Sequence, residues 1–298
     1  MSFEEGAGLD TSQVTGGGRG GALIGGGIGS LVLVLIGAFF GVDLSGVTGG
    51  QNPFDPGQVG TGGQERGNDF SHCKTGADAN RHVECRIIGT VNSVQDYWND
   101  ALPADLGRQY RAAQTVIYSG TTQSACGTAS NQTGPFYCPS DERIYIDASF
   151  FNDLTSRFGA DDGALAQEYV VAHEYGHHVE NVLGLLARAQ DGQTGPLSGG
   201  VRIELMADCF AGVWANHASS TEDTEGNTLL KPLTDKDIRS ALSAAAAVGD
   251  DRIQQSSGGG VNPEVWTHGS SESRQRWFLT GYQSGSPNQC DTFSTDQL

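Results

Sequence analysis

The chain contains two histidines four positions apart, with a glutamate directly after the first. On an α-helix, His173 and His177 project from the same face about one turn apart, so both imidazole rings can reach one metal ion. Glu174 then stands where its carboxylate can reach a water molecule at that metal. Two solvated or core histidines are the alternative, but they would not account for the glutamate. The pattern predicts a helix that carries a zinc site.

The residues around this motif have the periodicity of a partly buried helix. Apolar side chains recur at spacings of three and four residues, and Gly184 follows them at a position where a glycine can end a helix. The apolar positions are Leu165, Tyr169, Val170, Val179, Val182, Leu183 and Leu186. The sequence therefore predicts one amphipathic helix that ends near Gly184.

A catalytic zinc ion needs a third protein ligand and an open position for water. Glu204 is the best candidate, because it lies with Asp208 on one face of a second predicted helix over residues 202–214. Glu204 could ligate the metal, and Asp208 could accept a hydrogen bond from the other ring nitrogen of a ligand histidine. An exposed acidic pair on a surface helix is the alternative interpretation.

The segments around these residues resemble a known family. Residues 173–178 and 204–214 are similar to the neutral zinc metallopeptidases of bacteria, a zincin-like group with one amino-terminal membrane helix. Further similar segments lie at residues 126–128, 134–139, 144–147, 249–255, 267–270 and 277–278. The resemblance implies an α+β zincin-like domain, one catalytic Zn²⁺ held by His173, His177 and Glu204, and Glu174 as general base.

Peptide hydrolysis would also need a hydrogen-bond donor for the oxyanion of the tetrahedral intermediate. The sequence offers four candidates, namely Tyr145, Tyr175, His268 and Arg274. His268 is favoured, because its surroundings are similar to His and Arg segments downstream of the motif in other zincins. A histidine that only anchors a loop is an equally open interpretation.

Residues 20–42 contain neither a charge nor a proline. A helix of this length spans the roughly 30 Å hydrocarbon core of a membrane, so a transmembrane anchor is predicted. A cleaved signal peptide and a buried core helix are the alternatives, and no Ala-x-Ala-like cleavage site follows the segment. Arg19 is the nearest cation before it and Arg66 the first after it, which favours a single pass with the amino terminus in the cytoplasm.

The anchor divides the chain into four predicted parts. Residues 1–19 form a polar cytoplasmic tail, residues 20–42 the transmembrane helix, residues 43–69 a flexible glycine-rich linker, and residues 70–298 the metallopeptidase domain. All six cysteines follow the apolar segment, which is typical of an extracytoplasmic compartment. Cys126 and Cys138 are the favoured disulfide pair, whereas six reduced buried thiols are the alternative.

The charge balance excludes one class of partner. The chain has 17 Lys and Arg against 35 Asp and Glu, a net charge of −18, and no basic cluster. Nucleic-acid binders neutralise phosphate with clustered Lys and Arg, so nucleic acid is not expected as a partner.

The segment Glu142–Asp147 alternates apolar and polar residues. It is predicted to be the edge strand beside the cleft, where an extended peptide can add by main-chain hydrogen bonds, with a plain core strand as the alternative. The expected function is therefore a membrane-anchored zinc metallopeptidase that acts on a peptide or protein substrate. A non-catalytic, membrane-anchored zinc-binding scaffold is the alternative.

Overall fold

The computed structural model describes residues 1–17, 69–256, 258 and 260–298. The predicted transmembrane segment 20–42 lies outside these residues, as does the predicted linker up to residue 68. Among the described residues, the structure contains no helix that is both long and apolar enough to cross a membrane.

The described part of the chain is a mixed α+β fold. Its helices are α1 (Gly76–Ala79), α2 (Val83–Leu106), α3 (Phe150–Ser156), α4 (Ala164–Leu183), α5 (Gly199–His217), α6 (Asp235–Ala247), α7 (Asp250–Ser256) and α8 (Ser271–Ser284). Its strands are β1 (Val14–Gly16), β2 (Gln114–Tyr118), β3 (Thr121–Ser124), β4 (Gly127–Ser130), β5 (Phe136–Cys138) and β6 (Arg143–Asp147).

Four of the strands form one sheet in the order β1-β2-β6-β5. Strands β1, β2 and β6 are parallel, whereas β5 runs antiparallel to β6. Strands β3 and β4 form a separate antiparallel hairpin. The antiparallel strand β5 therefore ends the sheet on the side opposite β1.

The prediction that Glu142–Asp147 is the edge strand is wrong. This segment is β6, which pairs with β2 on one side and β5 on the other. Ile144, Tyr145 and Ile146 are all buried, so side chains on both faces of the strand are covered. Alternation along a sequence reports which residues share a face, but it does not report which strands lie alongside.

The described residues of the predicted amino-terminal tail are part of the domain. Strand β1 pairs with β2, and Phe3 is fully buried against Gly89 of α2. The side-chain amides of Asn80 and Asn92 each exchange two hydrogen bonds with the backbone of Phe3 and Asp10, at 2.9–3.0 Å. Residues 1–17 of the predicted polar tail are therefore packed on the domain, held by groups from distant parts of the chain.

Three disulfides connect the elements, namely Cys73–Cys85, Cys126–Cys138 and Cys209–Cys290. The predicted Cys126–Cys138 pair is confirmed, and no cysteine is left free for the alternative of six reduced thiols. The third bond joins α5 to the segment that follows α8, so it closes the carboxyl-terminal end of the chain onto the helix of Glu204.

Helices α4 and α5 lie side by side in the core. Helix α4 ends at Gly184, whose φ of 75° is the left-handed conformation that glycine adopts without steric cost. Gly176 faces α5 so closely that an added Cβ would lie 2.9 Å from Cα of Ala207. The absence of a side chain at Gly176 therefore lets the two helix backbones approach at the level of the histidines.

Candidate metal centre

Helices α4 and α5 bring three metal-ligating side chains together. His173 Nε2 lies 3.3 Å from Glu204 Oε2, and His177 Nε2 lies 3.6 Å from Glu204 Oε1. One donor atom from each residue lies within 4.8 Å of the other two. The three residues that the sequence singled out as ligands thus converge on one point.

The nitrogen on the far side of each imidazole ring contacts a buried carboxylate. His173 Nδ1 lies 2.9 Å from Asp208 Oδ1, and His177 Nδ1 lies 2.8 Å from Glu180 Oε2. Each contact favours a proton on Nδ1, so Nε2, which faces Glu204, is the ring nitrogen available to a metal ion. Asp208 was expected in this position, whereas Glu180 was not.

The site favours positive charge. Burial alone would lower the pKa of His173, but the carboxylates of Asp208 and Glu204 outweigh burial and raise that pKa to about 10. Despite burial, the neighbouring histidines hold the pKa of Glu204 well below its usual range. Two imidazole nitrogens and a carboxylate are a donor set that zinc accepts at catalytic sites. The chemistry of the residues present therefore fits a zinc ion.

Behind His173, Arg274 of α8 forms a buried ion pair with Asp208. Its Nε and Nη2 donate to Asp208 Oδ2 and Oδ1 at 2.8 and 3.0 Å, and the hydroxyl of Tyr169 also donates to Asp208. Arg274 holds the pKa of Asp208 low although burial acts in the opposite direction. The guanidinium of Arg274 is therefore bound to the same carboxylate that contacts His173.

Glu174 lies in the same cleft as the three candidate ligands and is almost fully buried. Burial raises the pKa of its carboxyl above the usual value, which the two neighbouring histidines partly oppose. A carboxylate with a raised pKa is a better proton acceptor at neutral pH than a solvated one.

His268 also lines the cleft, and its loop is organised by Asp250 of α7. Asp250 Oδ2 accepts hydrogen bonds from the backbone amides of Thr267, His268 and Gly269 at 2.8, 2.7 and 2.9 Å. Asp250 Oδ1 lies 3.3 Å from His268 Nδ1. This one carboxylate therefore sets both the loop backbone and the orientation of the imidazole.

The two tyrosine candidates for oxyanion stabilisation lie outside the cleft lining. The hydroxyl of Tyr175 is within 3.0 Å of Thr115 Oγ1 in the core, and the hydroxyl of Tyr145 donates to Asp141 at 2.7 Å. Of the four candidates, the cleft lining includes His268 and Arg274.

Comparison with known proteins agrees with this geometry. A family model described as "putative neutral zinc metallopeptidase" matches residues 4–293. The chain belongs to this family. The resemblance seen in the sequence is thereby confirmed, over nearly the whole chain and at the level of a zinc metallopeptidase family.

Two relatives of this family member carry the description "uncharacterized protein". The protein Rv2575 of Mycobacterium tuberculosis is 54% identical over 233 residues, which are 78% of each chain. The protein YpfJ of Escherichia coli K12 is 38% identical over 275 residues, 90% of this chain and 86% of YpfJ. No solved structure matches the chain.

Sequence patterns missed three residues that shape the candidate metal site of this family member. Glu180 lies three residues after His177, so its helical spacing could have identified it. Tyr169 had been counted only among the apolar positions of α4. Asp250 meets His268 from a separate element, so no local pattern connects the two residues.

Proposed function

We propose that this chain is a zinc-dependent metallopeptidase in which His173, His177 and Glu204 hold one catalytic Zn²⁺. One observation carries the proposal. In both His173 and His177, Nδ1 contacts a buried carboxylate and Nε2 faces Glu204. When bound, zinc supplies Lewis acidity that lowers the pKa of water and polarises a carbonyl group.

Glu174 is proposed as the general base. Its position directly after His173 places its carboxylate in the cleft with the ligands, where it can take a proton from the attacking water. The same carboxyl group can then deliver that proton to the leaving amine. A structural metal site would have no use for this carboxylate, so Glu174 favours catalysis over the scaffold alternative.

His268 is proposed as the donor to the oxyanion. The carboxylates of Glu204 and Asp250 raise the pKa of His268, against the effect of burial, and so favour a ring that carries two N–H groups. Asp250 takes the Nδ1 side, and Nε2 remains to donate into the cleft.

Strand β5 is proposed as the docking edge for an extended peptide. It is the antiparallel end of the four-stranded sheet, and Gly134, Pro135 and Phe136 at its start line the cleft. A peptide that adds to this edge by main-chain hydrogen bonds would pass beside Glu174 and the ligands. The sequence predicted this role for β6, but β6 is paired with a strand on each side and has no free edge.

We further propose that residues 20–42 anchor the protein in a membrane, with the domain on the extracytoplasmic side. The uncharged 23-residue stretch supports an anchor, and three disulfides support an oxidising compartment. Because residues 1–17 pack on the domain, we propose neither a cytoplasmic location for residues 1–19 nor a single complete crossing, and the anchor holds the protein with both flanking parts on one side of the membrane.

Zinc content and cleavage of unfolded protein, measured on the same purified full chains, test the catalytic proposal. Wild type should hold about one zinc per chain and cleave. Glu174→Gln should keep zinc and lose cleavage, whereas Glu204→Gln should lose affinity for zinc. Full cleavage by Glu174→Gln, or a folded wild type that takes up no zinc, would refute it.

A further inference from the structure

Part of the cleft lining is formed by apolar side chains from separate segments of the fold. They come from α3 and the turn after it, from α4, from the end of α6, and from α7. We call these residues the apolar wall: Phe150, Phe158, Val170, Val248 and Ile253. The cleft they share with the candidate ligands has a volume of about 110 Å³, enough for several water molecules or part of one side chain.

The apolar wall lies next to the reacting groups. Val170 is on α4, three residues before His173 and four before Glu174, so all three side chains lie on one face of that helix. A substrate group that contacts Val170 therefore sits close to the bond that Glu174 helps to hydrolyse.

The ionisable groups around the cleft are already engaged with one another. Arg274 and His173 contact Asp208, His177 contacts Glu180, and His268 contacts Asp250. Among the described residues that line the cleft, Arg274 is paired with Asp208 and the free Nε2 of His268 is assigned to the oxyanion, so neither is left to pair with an acidic substrate side chain. Burying such a charge against the apolar wall would cost free energy, whereas burying an apolar side chain there would gain it.

We infer that the substrates are peptide segments that place a large apolar side chain, of the Leu, Met or Phe class, against the apolar wall. This inference rests on the proposed function, because it concerns the specificity of the same cleft. In folded proteins such side chains are mostly buried. The class of substrate is therefore unfolded or extended protein segments with apolar residues, rather than the acidic or polar surfaces of folded proteins.

Peptide binding to the full-length Glu174→Gln variant, loaded with zinc, tests the inference without requiring turnover. The probes are fluorescently labelled peptides of Ala, Ser and Gly that differ only at one central position, which is Phe, Leu, Ala or Asp. The Phe and Leu peptides should bind about 30-fold more tightly than the Ala peptide, about 2 kcal/mol at 1.4 kcal/mol per factor of ten. The Asp peptide should bind least tightly.

Substitutions in the apolar wall should change this order. Phe158 is half-buried, and Phe158→Arg should raise the affinity for the Asp peptide at least 10-fold relative to the affinity for the Phe peptide. Val248→Phe should narrow the cleft and so lower the affinity for the Phe peptide relative to the Ala peptide. This variant supplies the test if Phe158→Arg does not fold. Leu197→Arg is the matched control, because Leu197 is 50% exposed and lies outside the cleft lining.

Failure of the inference and failure of the proposed function look different. Equal affinity for the Phe and Asp peptides would overturn the inference, even if wild type cleaves both. A clear Phe preference in binding, together with a zinc-loaded wild type that cleaves none of the peptides, would refute the peptidase function and leave the apolar recognition standing.

Discussion

Replacement of Glu168 by Gln should stabilise the protein at alkaline pH and have little effect at acidic pH. Glu168 is on α4, five residues before His173, and is completely buried. In the part of the chain that the structure describes, neither of its carboxylate oxygens has a hydrogen-bond partner, and the α-amino group of Met1 lies 3.6 Å from Oε2. Burial raises the pKa of Glu168 from its ordinary value of 4.5 to about 7, although the Met1 amine and Arg86 act in the opposite direction.

The sign and size of the effect follow from linkage between proton binding and folding. Between pH 4.5 and 7, the folded protein holds a proton on Glu168 that the unfolded chain has released, so stability falls as the pH rises through this window. Above pH 7, ionised Glu168 costs the folded state about 3 kcal/mol, since one pKa unit corresponds to about 1.4 kcal/mol. An amide carries no charge and escapes this cost.

Urea unfolding at pH 5 and pH 8, with the disulfides intact, measures the free energies of unfolding. The advantage of Glu168→Gln over wild type should grow by roughly 2–3 kcal/mol from pH 5 to pH 8. Glu225→Gln makes the same chemical change at an exposed position and should show no such growth. If the advantage of Glu168→Gln is independent of pH, or if wild type is the more stable protein at pH 8, the reasoning is wrong.

Three further predictions concern the second layer of the site and the connections of the fold. Glu180→Gln should weaken zinc binding roughly 10–100-fold, because Gln keeps the shape of the side chain but loses the charge that orients His177. Competition with a chelator measures the zinc affinity, and an unchanged affinity would contradict the prediction. Phe3→Ala should reduce the free energy of unfolding by about 3–5 kcal/mol, because Phe3 is fully buried against Gly89. A loss below about 1 kcal/mol would show that residues 1–17 are not docked in solution. Replacing both Cys209 and Cys290 by Ala should cost roughly 4 kcal/mol, because their bond spans 81 residues; denaturant unfolding measures the loss, and addition of a reductant should then destabilise the variant less than wild type.

The ligand set was predictable because its geometry is mostly local. His173, Glu174 and His177 occupy one turn of α4, so the helical repeat alone determines that the two histidines share a face. Glu204 could be predicted as the third ligand from its position on a second predicted helix together with the family resemblance. Contacts between distant elements, such as Asp250 with His268, carry no periodic signal, and the sequence showed only the histidine.

The edge position of residues 142–147 was predicted wrongly, and the docking of residues 1–17 was not predicted, for a related reason. The pattern of β6 shows that its side chains are buried, but the neighbours β2 and β5 are set by the whole sheet. The first 17 residues are polar on average, and their hydrogen-bond partners Asn80 and Asn92 are 77 and 82 residues away along the chain. The composition of a segment shows that it is polar. It carries no information about the distant surface on which the segment packs.

The docking of residues 1–17 restricts how the chain can thread a bilayer. Residues 17 and 69 belong to one folded body, so both lie on the same side of any bilayer next to that body. One crossing, or any odd number of crossings, would separate Phe3 from Asn80 by the full thickness of a membrane. Cysteines placed at the exposed positions Glu5 and Glu225 should therefore react together with a membrane-impermeant thiol reagent, from the same compartment. At the proposed membrane, residues 1–17 would therefore lie on the same side as His173, His177 and Glu204.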